Sequence, residues 1–222
     1  MFDNLLGFLR GKKFLEVELA DFERMLNDTE SMFKEVCVKL LEGKYEKDIK
    51  DRIYKLDREV NHLEKDIRKR VVEHLSLRGN VDLPMCLILM SVVKDAERLG
   101  DYAKNLYEVT EILGGAVDRN LFNDLLLDID KKIMEEFRET KQAFIKSDKD
   151  TARNIFKIER EVSLKCEEAV RKLANGNYPT RIAVCMTLVA RHFKRISAHL
   201  SNIGSSVILP LQDLDFFDEK LK

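Results

Sequence analysis

The stretch Ala96 to Leu106, AERLGDYAKNL, decides the reading of this chain, because it returns in altered form as FKRISAHLSNI, Phe193 to Ile203. In both copies an arginine, Arg98 or Arg195, is followed seven residues later by an asparagine, Asn105 or Asn202. Leu99 and Leu106 are answered by Ile196 and Ile203. The chain therefore reads as a duplication. Glu97 and Asp101 stand four apart in the first copy, a spacing that sets two carboxylates on one face of a helix. The second copy has Lys194 and Ala198 at those places. One half can gather acidic oxygens around a cation, and the other has given them up.

Working outward, the apolar residues Phe22, Met25, Leu26, Phe33, Val36, Cys37, Leu40 and Leu41 keep the three-and-four spacing of a helix with one buried face. They predict a first helix over about residues 15 to 42, closed by Gly43. A second helix is expected from about Asp48 to Leu77, where Ile49, Ile53, Leu56, Val60, Leu63, Ile67, Val71 and Leu75 form a near-heptad seam. Arg78 to Asp82 reads as a turn. Pro84 then sits in the first turn of a third helix that runs to about Leu113.

Gly114 and Gly115 interrupt the chain, and the same order of elements begins again. A fourth helix is predicted over about 120–146, with Leu125, Leu126, Ile129, Ile133, Phe137 and Phe144 on its apolar side. A fifth follows over about 150–174, carrying Ile155, Ile158, Val162, Cys166, Ala169 and Leu173. Asn175 to Tyr178 is the next turn, and Pro179 opens a sixth helix that runs to about Leu209. The expected architecture is all-α, a tandem pair of antiparallel three-helix bundles. The first repeat spans 15–114 and the second 115–210, with an amphipathic segment at 1–14 and a tail at 211–222. Phe2, Leu5, Leu6, Phe8 and Leu9 with Arg10, Lys12 and Lys13 suit a membrane surface or a partner, but packing on the chain's own bundle is the expectation.

Bulk properties agree. A chain of 222 residues is long enough for a real core, and 36% charged with 45% hydrophobic residues, three prolines and nine glycines is a composition of long amphipathic helices. A net charge of −1 sets up no global field for nucleic acid or membrane. Cys37, Cys86, Cys166 and Cys185 lack the paired spacing of a zinc site and read as core thiols in a reducing compartment. The longest uncharged run in the first half, Leu83 to Val93, falls well short of the roughly 20 residues that span a bilayer. With no secretory signal pattern, the expected location is cytoplasmic, at most peripheral to the membrane.

A second oxygen-bearing pair, Asp57 and Asn61, lies four apart on the second helix, where antiparallel packing can bring it opposite Glu97 and Asp101. Such a set suits a hard or borderline cation: iron, manganese, magnesium or zinc. His192 and His199 are about two turns apart, too far for one ion, and read as surface or capping residues. Glu59 and His62 form a single Glu-x-x-His with no second copy, which argues against an oxygen-activating carboxylate enzyme. Lys65, Arg68, Lys69 and Arg70 read as a solvated basic face, with an anionic partner as the alternative. No phosphate loop or nucleophile elbow is present, and nothing points to catalysis.

The run ERLGDYAKNL resembles the signature of PhoU-type phosphate-uptake regulators, in which an acidic-x-x-x-Asp motif followed by Asn occurs in each of two three-helix repeats. The resemblance extends over essentially the whole chain. It implies a regulator of phosphate transport that binds a phosphate transporter or its sensor kinase at the inner membrane face. It also implies multinuclear iron or zinc bound on acidic faces. Carried over, Glu97 and Asp101 match the two acids, Asn105 the amide and Asp57 the acid on the preceding helix, while Asn61 stands where the family has Asp. In the second repeat Arg195, His199 and Asn202 are kept. Glu159 matches an acidic position, but Ser163, Lys194 and Ala198 replace the other ligands, so that site is degenerate. Lys194 is expected to approach Glu159 as a dry ion pair. Homodimerisation is expected from apolar surface left on long amphipathic helices. The alternatives are a metal-free helical adaptor for another transporter or kinase and, more distantly, a carboxylate-bundle metalloenzyme.

Overall fold

The computed structural model describes residues 2–43, 48–80 and 82–214, with side chains described from Lys13 onward. Seven α-helices are present among them: α1 (Phe2–Glu42), α2 (Ile49–Arg78), α3 (Leu83–Leu113), α4 (Arg119–Leu126), α5 (Ile129–Lys146), α6 (Lys149–Asn175) and α7 (Thr180–Ile208). A single 3-10 turn, Leu211–Asp213, lies against α3, and Leu214 after it is buried.

Each helix forms where its apolar residues repeat on one face. Phe22, Met25, Leu26, Phe33, Val36 and Leu40 of α1 are wholly buried, as are Ile53, Ile67 and Val71 of α2. Pro84 occupies the first turn of α3, where its missing N–H costs nothing. Gly43 and Gly114 follow α1 and α3 with φ of +61° and +77°, a region glycine enters without a Cβ clash. Their N–H groups close the last turns on the carbonyls of Lys39 and Thr110.

Helices α1, α2 and α3 form one bundle and α4 to α7 the other, packed to each other through α3 against α7 and α1 against α5. The apolar interior does not divide with the repeats: one core cluster runs from Phe22 of α1 to Ile203 of α7. Phe33 joins the halves, with ring centroids 5.8 Å from Phe137 and 5.5 Å from Phe193. Burying aromatic rings of this size contributes about 2 to 3 kcal/mol each.

Three expectations need correction. The first helix does not begin near residue 15 but runs unbroken from Phe2, so residues 2–14 are part of α1; residue 1, the side chains of 2–12 and the tail residues 215–222 lie outside the described residues. The predicted fourth helix is two helices. Leu127 takes an extended ψ of 118° and Asp128 a left-handed φ of 55°, and α5 restarts at Ile129. Leu125, Leu126, Ile129 and Ile133 stay buried across the break, so the apolar spacing conceals it. Pro179 precedes α7 as its N-cap instead of lying inside its first turn.

Candidate functional site

The motif Glu97 to Asn105 lies in the middle of α3 with Leu99, Ala103 and Leu106 buried inward, which turns Glu97, Asp101 and Lys104 toward α2. The two helices are antiparallel, and Gly100 passes close to Val60. Asp57 and Asp101 are brought together as expected, but not as an open pair. Lys104 Nζ donates to both oxygens of Asp57 at 2.9 Å and to Asp101 Oδ1 at 3.1 Å. Arg98 donates to the other oxygen of Asp101 at 2.9 Å. Glu97 lies one turn back, where Lys94 donates to it at 2.8 Å and Arg98 stands 3.8 Å away. Glu64 of α2 extends the row, with Arg68 at 3.2 Å and Lys94 at 3.9 Å.

These contacts form a closed ladder. Four carboxylates, Asp57, Glu64, Glu97 and Asp101, are matched by four cations, Arg68, Lys94, Arg98 and Lys104. The acids are largely sheltered, at 11%, 9%, 12% and 26% side-chain exposure. Burial works against the charge of Lys104, but its hydrogen bonds to Asp57 and Asp101 outweigh it and hold the ammonium above the ordinary lysine range. Asn61 and Asn105 are half-buried, and their side chains make no hydrogen bond with a described residue.

This donor set does not fit the multinuclear iron or zinc cluster implied by resemblance. A cluster needs carboxylates free to bridge cations, and Lys104 already fills the position between Asp57 and Asp101. Among the described residues no three His, Cys, Asp or Glu side chains stand where they could hold a metal ion. Lys104 lies inside the quoted motif, three residues after Asp101. Spacing sets it on the acidic face without saying whether it reaches inward or out to solvent.

The second repeat is arranged differently. Lys194 donates to Glu167 Oε1, about two turns along α6 from its expected partner Glu159. Glu159 is half-buried and acts inward, adding to the repulsion on Glu136. Ser163 and Ala198 are half-buried, and Arg195 is exposed with no ion pair to a described residue. Cys166, Val170 and Ala190 floor a groove of about 250 Å³ between α6 and α7, rimmed by Arg171, Arg191, Lys194 and Glu167. Burial pushes the Cys166 thiol up to about 12, against the pull of Lys194, so it is a floor atom and not a nucleophile. The four cysteines are buried and free. Helix α7 carries Arg181, Arg191, Lys194 and Arg195 and no acid, whereas α3 carries five acids and three bases.

Two further readings are corrected. His199 is neither a cap nor a surface residue: its Nδ1 donates to Asp95 Oδ1 of α3 at 2.8 Å, and Asn202 donates to the same oxygen at 3.0 Å. His192 is packed 5.8 Å from the Tyr102 ring, and burial, with Arg191 nearby, lowers its pKa. The basic run on α2 is not a simple solvated face either. Arg70 makes two hydrogen bonds to the fully buried Glu18, at 2.6 and 2.9 Å, and a third to Asp21. No helix among the described residues is long and apolar enough to cross a membrane.

The PhoU domain family matches residues 22–110 and 126–207, one unit on each repeat. The Thermotoga maritima phosphate-specific transport system accessory protein PhoU homolog 1 is 33% identical over 101 residues, 43% of this chain and 42% of that protein. The corresponding Clostridium acetobutylicum homolog is 21% identical over 207 residues, 89% of this chain and 94% of its own length. The fold is shared with the crystal structure of PhoU from Pseudomonas aeruginosa, at a TM-score of 0.78 and 20% identity over 90% of this chain and 98% of that one. The phosphate transport system regulatory protein PhoU from Streptococcus pneumoniae has a TM-score of 0.72 at 16% identity, covering 90% of this chain and 94% of its own. With a matched unit on each half of the duplication and the two-bundle fold in common, this chain belongs to the PhoU family.

Proposed function

We propose that this chain is a cytoplasmic accessory regulator of phosphate transport that acts by binding, not by catalysis. Its partner is a phosphate transporter, or the sensor kinase that reports phosphate supply, at the inner membrane face. The observation that carries the reading is the pair of PhoU units, together with relatives named as phosphate-specific transport accessory proteins. The basic rim of the α6–α7 groove supports a protein surface of opposite charge as its counterpart. Homodimerisation belongs to the same reading, and sedimentation velocity tests it.

The test is phosphate uptake in a strain lacking the chain. Loss of control over uptake in phosphate-rich medium, restored by the wild-type chain, is the expected result. A double charge reversal, Arg191→Glu with Lys194→Glu, should fold normally and fail to restore control. Unchanged uptake in the deletion strain overturns the phosphate reading. The position of Lys194, where the family motif has an acid, favours one second reading: an adaptor of the same ancestry serving another transporter. Reciprocal co-purification with a named non-phosphate transporter would select it.

A further inference from the structure

We propose that Lys104 is a built-in counter-cation: its ammonium does in the first repeat the cross-linking that a bound divalent ion would do, and it closes that site to metal. The inference holds whether or not the chain regulates phosphate transport, because it concerns only how α2 is fastened to α3. An ammonium has three N–H donors, and Lys104 has three acceptor contacts at 2.9, 2.9 and 3.1 Å, so its donors are used up by Asp57 and Asp101. The acceptors come from two helices, 44 residues apart in sequence, and the fastening is therefore tertiary.

The arrangement also decides the charge balance. Every acid that a divalent ion would need is already neutralised: Asp101 by Arg98 and Lys104, Glu97 by Lys94 and Arg98, Asp57 by Lys104. An ion entering between Asp57 and Asp101 would meet the ammonium at contact distance in a sheltered place where like charges are poorly screened. It would have to expel Lys104, which is only 20% exposed. Oxygen ligands to divalent ions stand at roughly 2.0 to 2.6 Å, closer than the ammonium contacts, so the helices need to approach only slightly once the lysine is gone. Removing the positive charge should therefore uncover a latent divalent site between Asp57 and Asp101, the two carboxylates that Lys104 now holds together.

The experiment compares the full-length wild-type chain with Lys104→Gln and Lys104→Arg, each stripped with EDTA and titrated with Mn²⁺ and, separately, Zn²⁺ by calorimetry. The wild type and Lys104→Arg should take up neither ion stoichiometrically, and EDTA should leave the wild-type melting temperature unchanged. Lys104→Gln should bind one ion at least about tenfold more tightly than wild type and melt higher with it than without, as binding to the native state requires. Adding Asp101→Asn to Lys104→Gln should abolish the gain. Stoichiometric metal in the wild type whose removal lowers its melting temperature overturns the proposal. So does a folded Lys104→Gln that binds no better than wild type. The EDTA measurement on the unmodified chain decides the first point even if Lys104→Gln does not fold.

Discussion

Asp95 of α3 and His199 of α7 are hydrogen-bonded across the boundary between the repeats, 2.8 Å from Oδ1 to Nδ1, and the pair has a mirror. The register that aligns Arg98 with Arg195 aligns Asp95 with His192 and Tyr102 with His199. Tyr102 stands 5.8 Å from His192 and 5.5 Å from His199 by ring centroid. The α3–α7 seam is thus pseudo-symmetric: one position is Asp or His, the other Tyr or His, and each repeat presents both to its neighbour. The kept His and Asn of the second motif both donate to Asp95 across this seam.

It follows that His199→Ala should cost about 1 to 3 kcal/mol, since Asp95 is nearly buried and would keep only Asn202 as a donor. Asp95→Asn should cost less, because it also removes the charge. Urea denaturation of both single variants and the double variant should be non-additive by more than about 0.5 kcal/mol. Strict additivity would mean that the contact contributes nothing to the seam.

Glu136 makes a different prediction. It lies wholly buried on α5, with Oε2 accepting from Ser197 Oγ at 2.6 Å, while its Oε1 and the hydroxyl of Thr140 one turn on have no hydrogen-bond partner. Burial pushes this carboxyl well above the usual range, the Ser197 hydrogen bond opposes the shift, and Glu159 and Glu139 add repulsion. A folded-state value above the unfolded one means that the folded chain holds the proton more tightly. The associated stability is full below the unfolded value of about 4.3 and is lost as pH rises toward the folded value. Glu136→Gln should therefore be more stable than wild type near neutral pH, with the difference shrinking as pH falls toward about 4.5. Denaturation at several pH values, compared between the two proteins, measures the slope. A wild type whose advantage over the variant grows with pH would contradict it.

Much of this molecule could be read from its sequence because the decisive patterns are short-range. Apolar residues three and four apart placed α1, α2, α3, α6 and α7, and Gly43, Gly114 and Pro84 marked their ends. The break at Asp128 was not readable, since Leu126 and Ile129 keep the helical spacing across it and no glycine or proline stands there. The meeting of Asp57 with Asp101 could be anticipated from antiparallel packing. The wedge of Lys104 between them could not, because charge spacing identifies which groups share a face without saying whether a lysine there reaches inward or out to solvent. Asp95 with His199 and Glu136 with Ser197 join helices 104 and 61 positions apart, so neither leaves a local signature.

Arg70 and Glu18 show how much can rest on one such distant pair. Glu18 has no exposed surface, and two guanidinium hydrogen bonds with a third to Asp21 hold it in place. Removing one member of such a pair leaves a buried charge without compensation, so Arg70→Met should cost about 3 to 5 kcal/mol. The double variant Arg70→Met, Glu18→Leu should recover most of that loss. Arg70→Lys should recover little, because a single ammonium cannot reproduce the forked contact. Thermal melts of the three proteins order them, and an Arg70→Met variant as stable as wild type would show that Glu18 finds water instead.

The shared core bears on whether the repeats are independent. Phe33 of α1 packs on Phe137 and Phe193 of the second bundle, and Phe22 lies 4.7 Å from Phe144 of α5. A half expressed alone would expose these rings, an apolar patch of the kind that drives aggregation. Residues 1–114 should therefore be poorly soluble or only partly structured, although they contain one complete repeat. In the full chain, hydrogen exchange at amides of α2 and of α6 should report one common global opening, and both should weaken together when Phe33→Ala removes about 3 to 5 kcal/mol. The two halves could separate only if the Phe33 contacts contributed little, and then the substitution would loosen α1 to α3 while α5 to α7 stayed protected.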